Sequence, residues 1–89
     1  MILHVLKAKA VKAHRLRLWF SDGTEKTIDV TPLLRGPVFK PLLAPSYFAR
    51  VSVDPIAGTV VWPNGADFAP EALHRLPAIQ RSSRGGRAA

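Results

Sequence analysis

Cysteine is absent from the 89 residues, acidic residues number only 6 against 13 lysines and arginines, and the glycines of the first 79 residues sit singly. Each scarcity excludes something. Without thiols there is no disulfide framework, thiolate zinc site or cysteine nucleophile, which fits a reducing compartment. No apolar run approaches the ~18 residues of a membrane span, so a soluble, cytoplasmic protein without membrane contact is expected. Single glycines at turns make no phosphate-cradling loop, and no serine lies in a G-x-S-x-G elbow. His4, His14 and His74 lack metal-ligand spacing, so no metal and no cofactor is expected.

What is present suffices for one domain. Hydrophobic residues make up 47% of the chain, and a chain of this size buries about 60–65% of its unfolded surface in one modest core. The expected domain is 1–79, followed by a basic tail, 80–89, whose Arg, Ser and Gly content predicts disorder. Of the net charge of +7, Arg81, Arg84 and Arg87 carry +3. A positive balance favours acidic partners, either phosphate backbones or an acidic protein face, without choosing between them. The tail is either an electrostatic arm for phosphates or a segment without a role.

Alternation organises the first third of the chain. Leu6, Ala8 and Ala10 alternate with Lys7 and Lys9, and Leu16, Leu18 and Phe20 with Arg15, Arg17 and Trp19. A three-residue connection, Lys12-Ala13-His14, sets Val11 opposite Arg15, Ala10 opposite Leu16, Ala8 opposite Leu18 and Leu6 opposite Phe20, gathering the apolar set on one face. Ser21-Asp22-Gly23 suits a second three-residue hairpin, with Gly23 in the left-handed position of a bulge and Arg15 opposite Asp29. Lys26 then falls near the inner face, where its stem packs and its ammonium reaches out at an edge.

Thr31 is expected to cap a short helical turn that begins on Pro32 and stops at Gly36. Pro37, Pro41 and Pro45 break the next stretch, yet Val38, Phe39, Leu42, Leu43, Tyr47 and Phe48 are too apolar for a linker, so an irregular cover over the sheet is expected. A second hairpin follows. Its loop, Pro55-Ile56-Ala57-Gly58, pairs Val53 with Val60 and Val51 with Trp62, leaving Arg50, Ser52 and Thr59 to face outward.

The densest punctuation runs from Trp62 to His74. Pro63, Asn64 and Gly65 fit the second to fourth positions of a type I turn that ends the strand at Trp62. Asp67 is expected to cap the following helix, with Pro70 in its first turn and Glu71 at the positive end of its dipole. The fold expected is α+β: an antiparallel sheet of about five strands, a three-strand meander plus a hairpin, with short helices on one face.

With Phe20-Ser21-Asp22-Gly23, Asp29, Pro32-Leu33-Leu34, Phe48 and Val51-Ser52-Val53-Asp54, this stretch resembles the bacterial family catalogued as domain of unknown function 2442. The likeness runs from about Val5 to Leu76, and its most specific part is Trp62 to Leu73. The resemblance implies no established activity. Some relatives append a helix-turn-helix domain, for which this chain is too short. Many are encoded beside a second small family, domain of unknown function 4160, in pairs read as toxin-antitoxin modules, so the resemblance implies a small protein partner encoded nearby.

Two function classes follow. The meander displays Lys7, Lys9, Arg15, Arg17 and Trp19 beside Glu25, Thr27 and Asp29. Such a face is either a solvated surface whose charges protect an edge or a partner surface, where Trp and Arg serve as anchors. The first class is a protein-interaction module, the antitoxin-like half of a two-protein bacterial system, covering its partner with the face bearing Trp19 or with the surface around the Trp62 turn. The second is a small nucleic-acid-binding protein using the same cations with Arg81, Arg84 and Arg87. An enzyme is the least expected class. Asp67, Glu71 and His74 resemble an acid-base trio, but a cap, a residue at the positive dipole end and one at the negative end explain them as structure.

Overall fold

The computed structural model describes residues 2–12 and 14–79. Arg81, Arg84 and Arg87 lie outside the described residues. Strands β1 (Val5–Lys12), β2 (Arg15–Phe20) and β3 (Glu25–Asp29) form an antiparallel meander in that order, and β4 (Ser52–Asp54) pairs with β5 (Thr59–Val61) in a separate hairpin. Between the two sheets run a 3-10 turn, Thr31–Leu33, a 3-10 helix, Pro37–Leu43, and the one-turn helix α1, Pro45–Phe48. Helix α2, Pro70–Arg75, follows β5. The expected α+β class and five strands are therefore present, divided into two sheets.

The core lies where the alternating faces of both sheets meet. Leu16, Leu18 and Ile28 of the meander, Val60 of the hairpin, Leu42 and Phe48 of the cover and Leu73 of α2 are fully buried, with Trp62 among them. Burial of side chains this size stabilises by about 1.5–3 kcal/mol each relative to exposure. The β2–β3 register is the expected one, with Leu16 opposite Ile28 and Arg15 opposite Asp29. So is that of the second hairpin, with Val53 opposite Val60.

The β1–β2 register departs from expectation at both ends. Ala8 pairs with Leu18 and Ala10 with Leu16, but Val5 takes the place opposite Phe20 and Lys12 the place opposite Arg15. The pairing slips between Val5 and Lys7 and again between Ala10 and Lys12. Packing drives the first slip: Val5 enters the core while Leu6 is ejected to 63% exposure, and the Val5 N–H bonds to the Gly58 carbonyl of the second hairpin. At the other end the turn is shortened. Only Ala13 and His14 separate the paired residues Lys12 and Arg15, and His14 takes a left-handed backbone, φ 64°.

Two capping expectations and one of exposure also change. Thr31 does not cap; its N–H and hydroxyl both donate to the Asp29 carboxylate, which closes the turn. Asp67 does not cap α2, because its backbone bridges to Val61 and Phe68 must enter the core. Ala69 stands at the cap position with ψ 137° and no side-chain bond. Pro70 imposes this, since a residue before proline is held extended. Thr59 was expected outside and is buried, its hydroxyl donating to the Phe68 carbonyl of the chain folded over it.

Candidate functional site

The Trp62 stretch is the structural knot of the molecule. The Trp62 N–H donates to the Ala66 carbonyl, the Gly65 N–H to the Trp62 carbonyl, and the Ala66 N–H to Asn64 Oδ1 at 3.0 Å. The same three bonds close the loop at Phe20, where Asp22 replaces Asn64: Phe20 N–H to the Thr24 carbonyl, Gly23 N–H to the Phe20 carbonyl, and Thr24 N–H to Asp22 Oδ1. Gly65 and Gly23 occupy equivalent left-handed positions, φ 87° and 89°. Each loop starts on a buried aromatic and turns on an Asx-Gly pair.

From this knot, side chains reach outward in all directions. Trp62 Nε1 donates to the Phe48 carbonyl at 2.9 Å, Asn64 Nδ2 donates to the Val38 carbonyl at 2.9 Å, and Phe68 meets Trp62 edge-on while stacking on Phe39. Pro63 holds the turn, Pro70 opens α2 and Glu71 lies exposed in its first turn. Of the signature, Trp62 and Asn64 bond to the cover, Gly65 takes the left-handed position, Asp67 bridges to Val61 and Pro70 opens α2, while Pro63 and Glu71 lie exposed.

His74 works the same way. Its Nε2 lies 2.9 Å from Asp22 Oδ2 and 3.3 Å from Thr24 Oγ1, and its ring packs edge-on against Phe20 at 4.8 Å. One nitrogen serves both polar contacts, so the imidazole does not relay between carboxylate and hydroxyl as a catalytic triad requires. Asp67 and Glu71 are not its partners. Lys26 completes the clamp: its ammonium donates to the carbonyls of His74 and Leu76 at the negative end of α2. The ammonium, expected to reach out at an edge, is instead held part-buried on these two carbonyls.

The outer face of the meander carries the expected cations, in an unequal arrangement. Trp19 is half-buried, covered by Lys7 at 5.0 Å and Arg17 at 5.3 Å from its ring. Arg17 is also bound to the Glu25 carboxylate. Arg15 stands opposite Asp29, whose carboxyl lies below its ordinary range, chiefly through the Thr31 hydrogen bonds and less through the charge of Arg15. Carboxylates of β3 therefore balance the arginines of β2.

Nothing balances β1. Among the described residues no carboxylate forms an ion pair with Lys7, Lys9 or Lys12. Lys9 lies directly opposite Arg17 and Lys12 directly opposite Arg15, and like charges in opposed positions are destabilising. Lys12, which the expected connection Lys12-Ala13-His14 assigns to the turn, belongs to the strand and joins this strip.

The candidate residues thus fall into two groups: a docking knot around Trp62 and a cationic strip along β1 and β2. Among the described residues no cluster of three or more His, Asp or Glu side chains is placed to hold a metal, and no helix is long and apolar enough to cross a membrane. No curated protein and no solved structure matches the chain. The family model described as protein of unknown function, DUF2442, matches residues 5–76, and the chain belongs to that family.

Proposed function

We propose that the protein is an interaction module that binds an acidic surface of a small protein encoded beside it, as the antitoxin-like half of a two-protein bacterial system. The observation that carries this is the pair of like-charge oppositions, Lys9 with Arg17 and Lys12 with Arg15, on an exposed strip beside Trp19. Such pairs weaken the isolated fold by about 0.2–1 kcal/mol each, and an acidic partner turns that cost into attraction. The paired gene arrangement implied by the family resemblance supplies the kind of partner. No catalytic role is part of this proposal.

Nucleic acid remains the second reading because the same strip attracts phosphate. The arrangement supports it less: Glu25 and Asp29 sit on the same face, and Lys7 and Arg17 occupy the Trp19 ring on which a base would stack. Purification of the tagged full-length protein together with the product of the adjacent gene, after nuclease treatment, separates the two. The proposal predicts a complex of equal stoichiometry, and growth inhibition by the neighbour when this protein is withdrawn. A neighbour that neither binds nor harms growth overturns it, and retention of nucleic acid released by moderate salt moves the assignment to the second reading.

A further inference from the structure

The meander has two outer edges, and they differ. Along β3, the Thr27 carbonyl accepts the Ile79 N–H at 3.0 Å, so the chain itself returns to that edge. Along β1, the β4–β5 hairpin lies against the strand, but its one backbone bond to β1 among the described residues is from the Val5 N–H to the Gly58 carbonyl. The direction of the remaining groups follows from the β2–β3 loop. Phe20 turns its N–H and carbonyl toward β3, so by alternation Leu18 and Leu16 do too, while Trp19 and Arg17 turn theirs toward β1. The backbone groups of Lys7 and Lys9, their partners, face β2; those of Ala8 and Ala10 point away from β2. Among the described residues these edge groups have no backbone partner.

Side chains beside the edge specify what suits it. On the outer face stand Lys7 and Lys9. At the register shift near the end of the strand, Ala10, Val11 and Lys12 join Pro45, Phe48 and Ala49 around a largely apolar groove of about 240 Å³, with room for one large aliphatic or aromatic side chain. A strand laid against β1 places alternate residues on the two faces. We infer that β1 accepts an extended segment of the protein partner in which acidic residues, facing Lys7 and Lys9, alternate with apolar ones, one of which fills the groove beside Phe48. This is strand addition to a sheet edge, where backbone bonds give affinity and alternate side chains give selectivity.

Charge selects this occupant over others. A second copy pairing through β1 brings lysine strips together, and residues 1–17 contain no acidic side chain to relieve them. The chain's own last nine residues carry Arg81, Arg84 and Arg87 and no carboxylate side chain, so they repel this edge as well. The inference rests on the interaction-module reading and adds to it the edge and the chemistry of the segment.

The test uses the full-length protein and a blocked eight-residue peptide of alternating Glu and Val, followed by amide resonances and hydrogen exchange. Saturable binding with slowed exchange at Ala8 and Ala10 is expected. A peptide of the same composition with all Glu residues in one half should bind at least about tenfold more weakly, and the double variant Lys7→Glu, Lys9→Glu should prefer an alternating Lys and Val peptide instead. Equal binding of both Glu peptides, or perturbation confined to residues away from β1, overturns the inference, as does absence of saturable binding. Dimerisation through β1 would identify a second copy as the occupant and equally overturn it. A neighbour protein that binds wild type and double variant alike leaves the module reading standing and removes the edge inference; peptide binding without any neighbour complex does the reverse.

Discussion

Trp62 shows how one side chain commits several segments. Its ring lies against Phe48 and Phe68, and its N–H satisfies the Phe48 carbonyl, in a fully apolar setting. Replacing it by Phe keeps most of the packing and removes one of two donors to that carbonyl, which also accepts the Val51 N–H at 3.3 Å, so a loss of about 0.5–1.5 kcal/mol is expected in urea unfolding. Asn64 divides its amide between two roles. Asn64→Asp keeps the acceptor for Ala66 and loses the donor to Val38, setting a carboxylate against a carbonyl. It should therefore destabilise at neutral pH and recover part of the loss in acid, when the carboxyl protonates and donates again.

Titration is also a residue-scale property. Bonds from Thr24 hold the Asp22 carboxyl below its ordinary range, helped by His74, and bonds from Thr31 do the same for Asp29. Carboxyls depressed on folding stabilise above the unfolded value of about 3.9, and that contribution disappears as pH falls through the folded values. Asp22→Asn and Asp29→Asn should each flatten the acid limb of a stability-against-pH curve. Burial acts oppositely on Lys26, lowering its ammonium value against the opposing charge of Asp22. Its charged form is penalised on folding, so stability rises as pH climbs from the lowered value toward the unfolded one. Lys26→Met should remove that alkaline rise.

At the scale of elements, the loops carry the fold and were the part most legible in sequence. Asp22-Gly23 and Pro63-Asn64-Gly65 announced their turns because only a few residue types meet the backbone demands there. Gly65 has open space where a Cβ would go, whereas a Cβ on Gly58 would meet the His4 ring at 2.7 Å. Both take left-handed φ, so Gly65→Ala should cost about 1–2 kcal/mol and Gly58→Ala more, as measured by thermal unfolding. What alternation did not reveal was the pair of slips in β1. Leu6 and Val5 are equally apolar neighbours, and only the Gly58 carbonyl and the shape of the core decide which one turns inward. The caps failed for a similar reason: Asp67 has the right chemistry, but the strand-like pairing with Val61 and the restraint from Pro70 delay the helix beyond its reach.

Over the whole molecule, charge is sorted by strand. Carboxylates of β3 answer the arginines of β2, and Lys9 and Lys12 of β1 are left with like charges opposite them. The cations themselves were evident from composition and alternation. Their inequality was not, because it depends on register and on which edge the chain covers. Lys9→Glu exchanges a repulsive opposition to Arg17 for an attractive one, and should stabilise the isolated protein by about 0.2–1 kcal/mol.

The affinity of Lys9→Glu for the product of the adjacent gene tests the central claim most directly. A complex formed by wild type and weakened roughly tenfold or more by this single reversal, in a variant at least as stable, is the predicted result. Unchanged affinity, with the partner still bound, would contradict it and remove the β1 strip from the interaction.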